Sequence, residues 1–267
     1  MDVDYTHGYS CQETDRLHDQ ASVLTDLLHF DTLFPSGHLV LEAGCGVGSQ
    51  TRILSRRNPN TRFVAVDISR ASVDQAQQCA RSLDLKNVRF QVQDINSLSF
   101  RSRSFDHVFI CFVLEHMADP VKTLVELRRV LKDGGTLTAI EGDHGSAFFH
   151  PDSDAARKAI GCQVRIQAEA GGNADIGRQL YPLMVKAGFR DPFVTPRMVH
   201  ANGGRPDLLE GFTLKTFTAM IEGVKDRAVS GNLIDEKLFD QGIRDLIRTT
   251  EPGGTFCYTF FKAQAIR

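Results

Sequence analysis

The spacing of apolar residues changes several times along the chain. From residue 38 onward, short apolar runs typical of strands alternate with longer segments in which apolar residues recur at helical spacing. The stretches HLVLEAG, RFVAVDIS, NVRFQVQDI, SFDHVFICFVLEH and TLTAIEGD predict five strands, with helices between them. Strands that alternate with helices over residues 38–143 indicate a doubly wound α/β fold with a parallel sheet.

The flanking regions are mostly helical in pattern. Leucines at helical spacing predict a first helix over about 14–29, and the stretch GTFCYTFFKAQA predicts a closing strand. We expect an N-terminal helical lid segment (1–36) and one main domain (37–267). Within that domain we expect helical insertions near 145–173 and 203–252, the second between the last two strands, which form a cover over a site.

Composition narrows the function. The chain has 267 residues, 42% of them hydrophobic, enough for one substantial core. A net charge of -2 argues against a nucleic-acid surface, and no apolar run approaches the roughly 18 residues that span a bilayer. The six cysteines are scattered without a C-x-x-C pair, and the polar N-terminus is unlike a signal peptide. We therefore expect a cytoplasmic protein that binds no membrane, nucleic acid or metal.

The stretch VLEAGCGVGSQT places three glycines, Gly44, Gly46 and Gly48, directly after the first predicted strand. Glycines at this turn allow a ligand to approach the backbone closely, at the edge of the sheet where α/β proteins bind ligands. The spacing G-x-G-x-G differs from the dinucleotide fingerprint, and the lysine of a Walker-type loop is absent. Phosphate-binding interpretations are therefore disfavoured.

Three carboxylates follow three successive strands. Glu42 ends the first strand, Asp67 ends the second, and Asp94 follows the third. A carboxylate at such a position accepts hydrogen bonds from ribose hydroxyls, and three together would repel phosphates. They favour a cationic ligand that carries a ribose and an amino group.

These motifs, VLEAGCGVG, VAVDIS, QDI and FDHVFICFVLEH…LKDGGTL, resemble those of class I S-adenosylmethionine-dependent methyltransferases. The branch they resemble includes the ubiquinone and menaquinone biosynthesis methyltransferases. The resemblance implies a Rossmann-like seven-stranded sheet whose last strand is antiparallel, and S-adenosyl-L-methionine as cofactor. It also implies that Glu42, Gly44 and Gly46 face the methionine part and that Asp67 holds the ribose. By the same resemblance, Asp94 with Ile95 flank the adenine, and Phe112 and Val113 line the sulfonium end.

The polar N-terminus adds candidates that would fold over the cofactor. The predicted cofactor-binding residues are Tyr9, Arg16, Glu42, Gly44, Cys45, Gly46, Gly48, Thr51, Asp67, Ile68, Asp94, Ile95, Phe112 and Val113.

The methyl acceptor is expected beyond the ends of strands four and five. His144 is a candidate general base with Asp143 beside it, and Arg178 and Tyr181 are further candidate contacts to the acceptor. A wall of the substrate pocket is the plainer interpretation of His144, and salt bridges are the plainer one of the arginines.

The sequence therefore predicts an in-line methyl transfer from S-adenosylmethionine to a small molecule, with oxygen or nitrogen as the acceptor atom and carbon left open. Three alternatives stay open. One is an S-adenosylmethionine-binding enzyme with another outcome, such as a cyclisation. The others are a non-catalytic cofactor-binding regulatory subunit and an NAD(P)-dependent oxidoreductase, which the glycine spacing disfavours.

Overall fold

A computed structural model describes residues 23–267. Its centre is a mixed seven-stranded sheet with strand order β3-β2-β1-β4-β5-β7-β6, in which the last strand of the chain, β7, is antiparallel. The strands are β1 (Leu39–Ala43), β2 (Arg62–Asp67), β3 (Val88–Val92), β4 (Phe105–Cys111), β5 (Leu131–His150), β6 (Arg190–Asn202) and β7 (Thr255–Ile266).

Helices separate most of these strands along the chain. The α-helices are α1 (Thr25–His29), α2 (Ser49–Arg57), α3 (Arg70–Ser82), α4 (Pro120–Val130), α5 (Asp154–Glu169), α6 (Leu180–Lys186), α7 (Ala219–Glu222), α8 (Lys225–Ser230) and α9 (Glu236–Arg248). Short 3₁₀ helices span Leu114–His116 and Ile176–Gln179, and a π-helix spans Leu208–Thr218.

The chain divides into two compact units. The sheet unit comprises Leu28–Glu141, Ile176–Pro196 and Phe261–Arg267. The helical unit comprises Gly142–Asp175 and Arg197–Phe260, together with residues 23–27. The two predicted insertions lie within the helical unit's segments.

Strand alternation builds the core of the sheet unit. Successive side chains point to opposite faces, and one face presents Leu41 of β1, Val108 and Ile110 of β4, and Leu137 and Ala139 of β5, all fully buried. Apolar side chains of α4 and α6 belong to the same core cluster. The five strands β1 to β5 pair in parallel. Parallel strands are covered on both faces, which explains why their sequences are near-continuous apolar runs.

Hydrogen bonds fasten the start of the described chain to the sheet unit. The Nζ of Lys262, on β7, is buried and donates to Asp31 (2.5 Å), to the Thr32 hydroxyl (2.7 Å) and to the Leu28 carbonyl (3.2 Å). His29 Nε2 lies 2.7 Å from Oε1 of Gln50. The segment before β1 is thereby tied to α2, which begins at the glycine loop.

Close helix packing and an aromatic cluster hold the helical unit together. A Cβ on Gly242 of α9 would stand 2.6 Å from the carbonyl oxygen of Ala155 on α5, so glycine allows the two helices to approach closely. Phe212 and Phe217 of the π-helix contact β7 through a cluster of rings whose other members are Phe256, Tyr258 and Phe260.

The fold class predicted from the sequence is confirmed: a doubly wound α/β sheet with an antiparallel last strand. Both ends of the fifth strand were wrong. The stretch TLTAIEGD predicted a strand over 136–143 after a helix that reached the glycines, whereas the helix ends at Val130, and β5 begins at Leu131 and continues to His150. The local sequence pattern does not show what binds the extension beyond Asp143. There the Ser146 hydroxyl accepts a hydrogen bond from the Thr259 amide of β7 (2.9 Å).

None of the helices in the described residues combines the length and the apolar character that a membrane span requires.

Candidate functional site

The glycine loop after β1 is held by β2. Gly44 and Cys45 both donate from their amides to the Val66 carbonyl, at 2.8 and 2.9 Å. The Gly46 amide donates to Oδ2 of Asp67, also at 2.8 Å. The loop therefore takes its shape from the end of the neighbouring strand.

Each of the three positions requires glycine for a different physical reason. All three adopt left-handed backbone angles, with φ of 75°, 51° and 84° for Gly44, Gly46 and Gly48. A Cβ on Gly44 would stand 2.5 Å from Cγ2 of Val113, and one on Gly48 would stand 3.0 Å from Cβ of Ala76. Around Gly46 nothing in the described residues lies within 4 Å of that position. Gly46 alone presents open space on this side, while the other two make room for the protein's own side chains.

Asp67 acts first as a loop anchor. Besides the Gly46 amide on Oδ2, its Oδ1 accepts from the Ser69 amide at 2.9 Å, just before α3. Each carboxylate oxygen can accept a further hydrogen bond. The side chain is half-buried, so it can reach a ligand while it shapes the loop.

Glu42 is the buried acid of the site. The side chain is 2% exposed, and its Oε2 has no hydrogen-bond partner among the described residues. Burial raises the pKa of the Glu42 carboxyl to about 8; the nearby Thr51 hydroxyl opposes this rise and the negative charge of Asp67 adds to it. Cys45 is also buried, and its thiol pKa is raised well above the usual range, mainly by burial.

The candidates after β2 and β3 differ in exposure. Ile68 is 43% exposed, although it is a large apolar residue at a strand end. Asp94 is exposed, and its Oδ1 accepts from the Asn96 amide (2.8 Å), which closes a local turn. Ile95 is buried and belongs to the core cluster of the sheet unit.

The turn after β4 adopts an unusual backbone conformation. Phe112 has a φ of 57°, a left-handed value that is uncommon outside glycine and that surrounding contacts must hold. Its amide donates to the Ile140 carbonyl (2.9 Å). The amides of Val113 and Leu114 donate to one oxygen of Glu141, Oε1, at 3.0 and 2.8 Å. Val113 thus packs on Gly44 from a turn that β5 holds in place.

His144 belongs to the helical unit and lies on a strand. Its Nδ1 lies 3.1 Å from the Ala174 carbonyl oxygen and 3.1 Å from the hydroxyl of Tyr258. A carbonyl only accepts, so the contact with Ala174 is a hydrogen bond in the tautomer that carries the proton on Nδ1, and in that tautomer Nε2 is the basic nitrogen. Asp143 precedes it on β5, where successive side chains point to opposite faces. Ala174 and Tyr258 both contact the His144 ring.

The remaining candidates are divided between regions. Arg178 lies exposed on a 3₁₀ helix and Tyr181, 55% exposed, on α6, both in the sheet unit. Asp143 and His144 lie in the helical unit. Tyr9 and Arg16 lie outside the described residues.

A family model described as "Methyltransferase domain" matches residues 35–188, which contain the glycine loop and all of β1 to β5. The chain belongs to the class I S-adenosylmethionine-dependent methyltransferases. This confirms the resemblance seen in the sequence motifs, and S-adenosylmethionine is the cofactor of the family.

The chain is also similar to individual proteins and solved structures. An uncharacterized 37.1 kDa protein in transposon TN4556 of Streptomyces fradiae is 31% identical over 225 residues, 83% of this chain and 63% of that protein. A demethylmenaquinone methyltransferase of Thermotoga maritima is 33% identical over 102 residues, 38% of this chain and 42% of that protein. A geranyl diphosphate methyltransferase solved with S-adenosylmethionine shares the fold, with a TM-score of 0.53 and 19% identity over 99% of this chain and 95% of that one.

The chain covers less than two thirds of the length of the first curated relatives it matches, 63%, 52% and 24% of three of them.

The residues present in this methyltransferase fit the cofactor. S-adenosylmethionine carries an ammonium group, which suits the unpartnered oxygen of Glu42, and ribose hydroxyls, which suit the further acceptor capacity of Asp67. The open side of Gly46 leaves room beside Asp67, whose carboxylate binds the Gly46 amide.

Sequence reasoning missed two residues. Glu141 ends an apolar run just as Glu42 does, so that signal was available in the printed sequence. Tyr258 bonds a residue 114 positions away, and no local pattern shows such a pairing.

The different roles of the glycines give a stability prediction. Gly46→Ala should lose only the left-handed backbone preference, about 1 kcal/mol. Gly44→Ala should lose about 1–3 kcal/mol more, because its Cβ overpacks against Val113. Urea denaturation measures both losses, and adding Val113→Ala to Gly44→Ala should recover part of the second. Equal losses for the two single variants would contradict this account.

The raised pKa of Glu42 predicts that the stability of the fold depends on pH. Its carboxyl keeps its proton in the folded protein up to a pKa of about 8, whereas the unfolded chain loses it near the usual value of 4.5. Folding is therefore penalised increasingly as pH rises from about 5 to 8, by up to about 1.4 kcal/mol per pH unit. The stability of Glu42→Gln relative to wild type should rise over this range and level off above it.

Denaturation at pH 5.5, 6.5, 7.5 and 8.5 checks this. Glu126→Gln is the matched control, because the Arg129 hydrogen bond lowers the pKa of Glu126, so the carboxyl is charged in both states over this range and its difference should stay flat. A flat difference for Glu42→Gln would show that Glu42 is ionised in the folded protein.

Proposed function

We propose that this protein transfers a methyl group from S-adenosylmethionine to a small-molecule acceptor, at an oxygen or nitrogen atom. Two observations carry the cofactor half: the buried Glu42 carboxyl has an oxygen, Oε2, without a partner among the described residues, and the loop that follows has open space at Gly46. The acceptor half rests on the character of the chain. Its net charge is -2, and the helical unit contains a buried aromatic cluster.

In this proposal each candidate cofactor-binding residue of the sheet unit contacts a defined part of the cofactor. Glu42 pairs with the ammonium group of the methionine part, and Asp67 accepts from the ribose hydroxyls while it holds the Gly46 amide. The exposed side chain of Ile68 covers one face of the adenine, and Asp94 accepts from its amino group. Phe112 and Val113 line the sulfonium end.

The bound cofactor supplies a methyl group that is already activated by its positive sulfur. The protein's contribution is therefore alignment of the acceptor for in-line attack and exclusion of water. A neutral amine needs no base, whereas a hydroxyl must lose its proton.

His144 is the base we propose for a hydroxyl acceptor. Its Nδ1 proton is held by the Ala174 carbonyl, so Nε2 is the nitrogen that takes a proton. Tyr258 supports the same ring, and Gly142 makes this support feasible, because a Cβ there would overlap the Tyr258 hydroxyl. Asp143, Arg178 and Tyr181 remain proposed acceptor contacts.

The cysteines of the described residues are all free thiols, which supports the cytoplasmic location we propose.

The direct test is a screen of small amines, phenols and alcohols for release of S-adenosylhomocysteine. An acceptor that is methylated as S-adenosylhomocysteine forms supports the proposal. A product made without S-adenosylhomocysteine would replace it with a different reaction at the same cofactor site.

Asp67 tests the cofactor assignment. Asp67→Ala removes the ribose acceptor and frees the Gly46 amide, so S-adenosylmethionine affinity should fall at least 10-fold, the loss of roughly one charged hydrogen bond. Isothermal titration calorimetry measures this. Asp74→Ala is the control, since Asp74 is exposed on α3 and loses the same charge. If both variants bind with wild-type affinity, Asp67 does not contact the cofactor.

His144 and Tyr258 test the acceptor half, once the screen has given an acceptor. His144→Ala should lower kcat at least 100-fold with an unchanged cofactor Kd if the acceptor is a hydroxyl, the usual scale of general-base catalysis. Tyr258→Phe, which removes only the hydroxyl, should lower kcat less and shift the acidic limb of the pH profile. Wild-type kcat in both variants would assign His144 to the structure of the helical unit alone.

A further inference from the structure

Glu141 is a fully buried acid that the cofactor assignment does not use. It is the last residue of β5 within the sheet unit. Strand alternation places it on the same face as Leu137 and Ala139, whose side chains belong to the core cluster. A carboxyl group at the top of an apolar core requires a specific partner, because burial without one is costly.

That partner is the backbone of the turn after β4. One carboxyl oxygen, Oε1, accepts from the amides of both Val113 (3.0 Å) and Leu114 (2.8 Å). The preceding amide, that of Phe112, donates to the carbonyl of Ile140 (2.9 Å). Three consecutive amides of the turn are thus bound to two consecutive residues of β5.

The turn transmits this constraint to the glycine loop. Val113 fills the space beside Gly44 that a Cβ would occupy, with Cγ2 at 2.5 Å from that position. The left-handed backbone of Phe112 lies between the contact of Val113 with Gly44 and the hydrogen bonds to β5. The separation of the turn from the loop is therefore set by how far the Glu141 side chain reaches.

The second oxygen of Glu141, Oε2, has no hydrogen-bond partner among the described residues. Burial, and then the negative charge of Glu115, raise the pKa of Glu141 well above its usual range, against the opposing effect of the turn amides. The other acidic groups nearby are the Cys111 thiol of β4 and, beyond it, Glu42 of β1.

We propose that Glu141 is a positioning residue of the methyl-transfer site, whose carboxyl group holds the turn Phe112–Leu114 against the glycine loop and so sets the shape of the sulfonium end. This inference rests on the proposed assignment of Phe112 and Val113 to that end. Glu141 itself touches backbone and no reacting atom.

The test compares Glu141→Gln, which keeps an acceptor at Oε1, with Glu141→Leu, which removes it at similar size. Leu137→Ala is the matched control, because it weakens the same face of β5 without touching the turn. Calorimetry measures the Kd for S-adenosylmethionine and for S-adenosylhomocysteine, which differ at the sulfur, and thermal denaturation measures the melting temperature.

We expect Glu141→Gln to bind both ligands within about 3-fold of wild type. Glu141→Leu should weaken S-adenosylmethionine at least 10-fold and change the ratio of the two Kd values at least 5-fold. Leu137→Ala should lower the melting temperature but leave that ratio unchanged. Should Glu141→Leu fail to fold, Glu141→Asp, which keeps the acid but shortens its reach, should shift the ratio in the same direction.

An unchanged ratio in Glu141→Leu, or in Glu141→Asp where that variant replaces it, would overturn the inference and leave Glu141 a structural residue. If the wild-type protein binds neither ligand, the proposed cofactor assignment itself fails, and the inference falls with it.

Discussion

The hydrogen bond from the Gly46 amide to the Asp67 carboxylate is the interaction on which the proposed cofactor site depends. Parallel strands end side by side, and the loops that follow them leave backbone amides without partners at the edge where the ligand binds. Here acidic side chains accept from those amides: Asp67 holds the glycine loop and Glu141 holds the turn after β4. Asp67 is the last residue of β2, whereas Glu141 lies within β5.

This arrangement concentrates carboxyl groups in a small region, where ionisation of each group is unfavourable. Glu42 and Glu141 are both buried, and burial raises the pKa of each. An ionised carboxylate in such a place requires a compensating charge. Glu141 accepts from two turn amides through one oxygen, whereas Glu42 keeps an oxygen without a partner among the described residues, which in our proposal pairs with the ammonium group of the ligand. Two acids in similar sequence settings therefore have different roles.

Much of this was predictable from the sequence. The periodicity of residues 38–143 gave the strands and helices, because buried parallel strands leave apolar runs of a recognisable length. Glu42, Asp67 and Asp94 could be placed because each directly follows such a run. The pairing of His144 with Tyr258, the reach of Glu141 to Val113, and the extension of β5 to His150 depend on contacts between distant segments. Nor could the spacing of the glycines show that Gly44 makes room for Val113, while Gly46 faces open space.

The most direct test of the central claim is the proton balance of cofactor binding. Glu42, with a pKa of about 8, is mostly protonated at pH 7 in the free protein and should ionise when it pairs with the ligand's ammonium group. Calorimetric titration of the wild-type protein with S-adenosylhomocysteine at pH 7, in phosphate and in Tris, measures the protons exchanged. The account predicts release of close to one proton per ligand bound. Tight binding with no proton release would show that Glu42 does not receive the ammonium group, and would contradict the account.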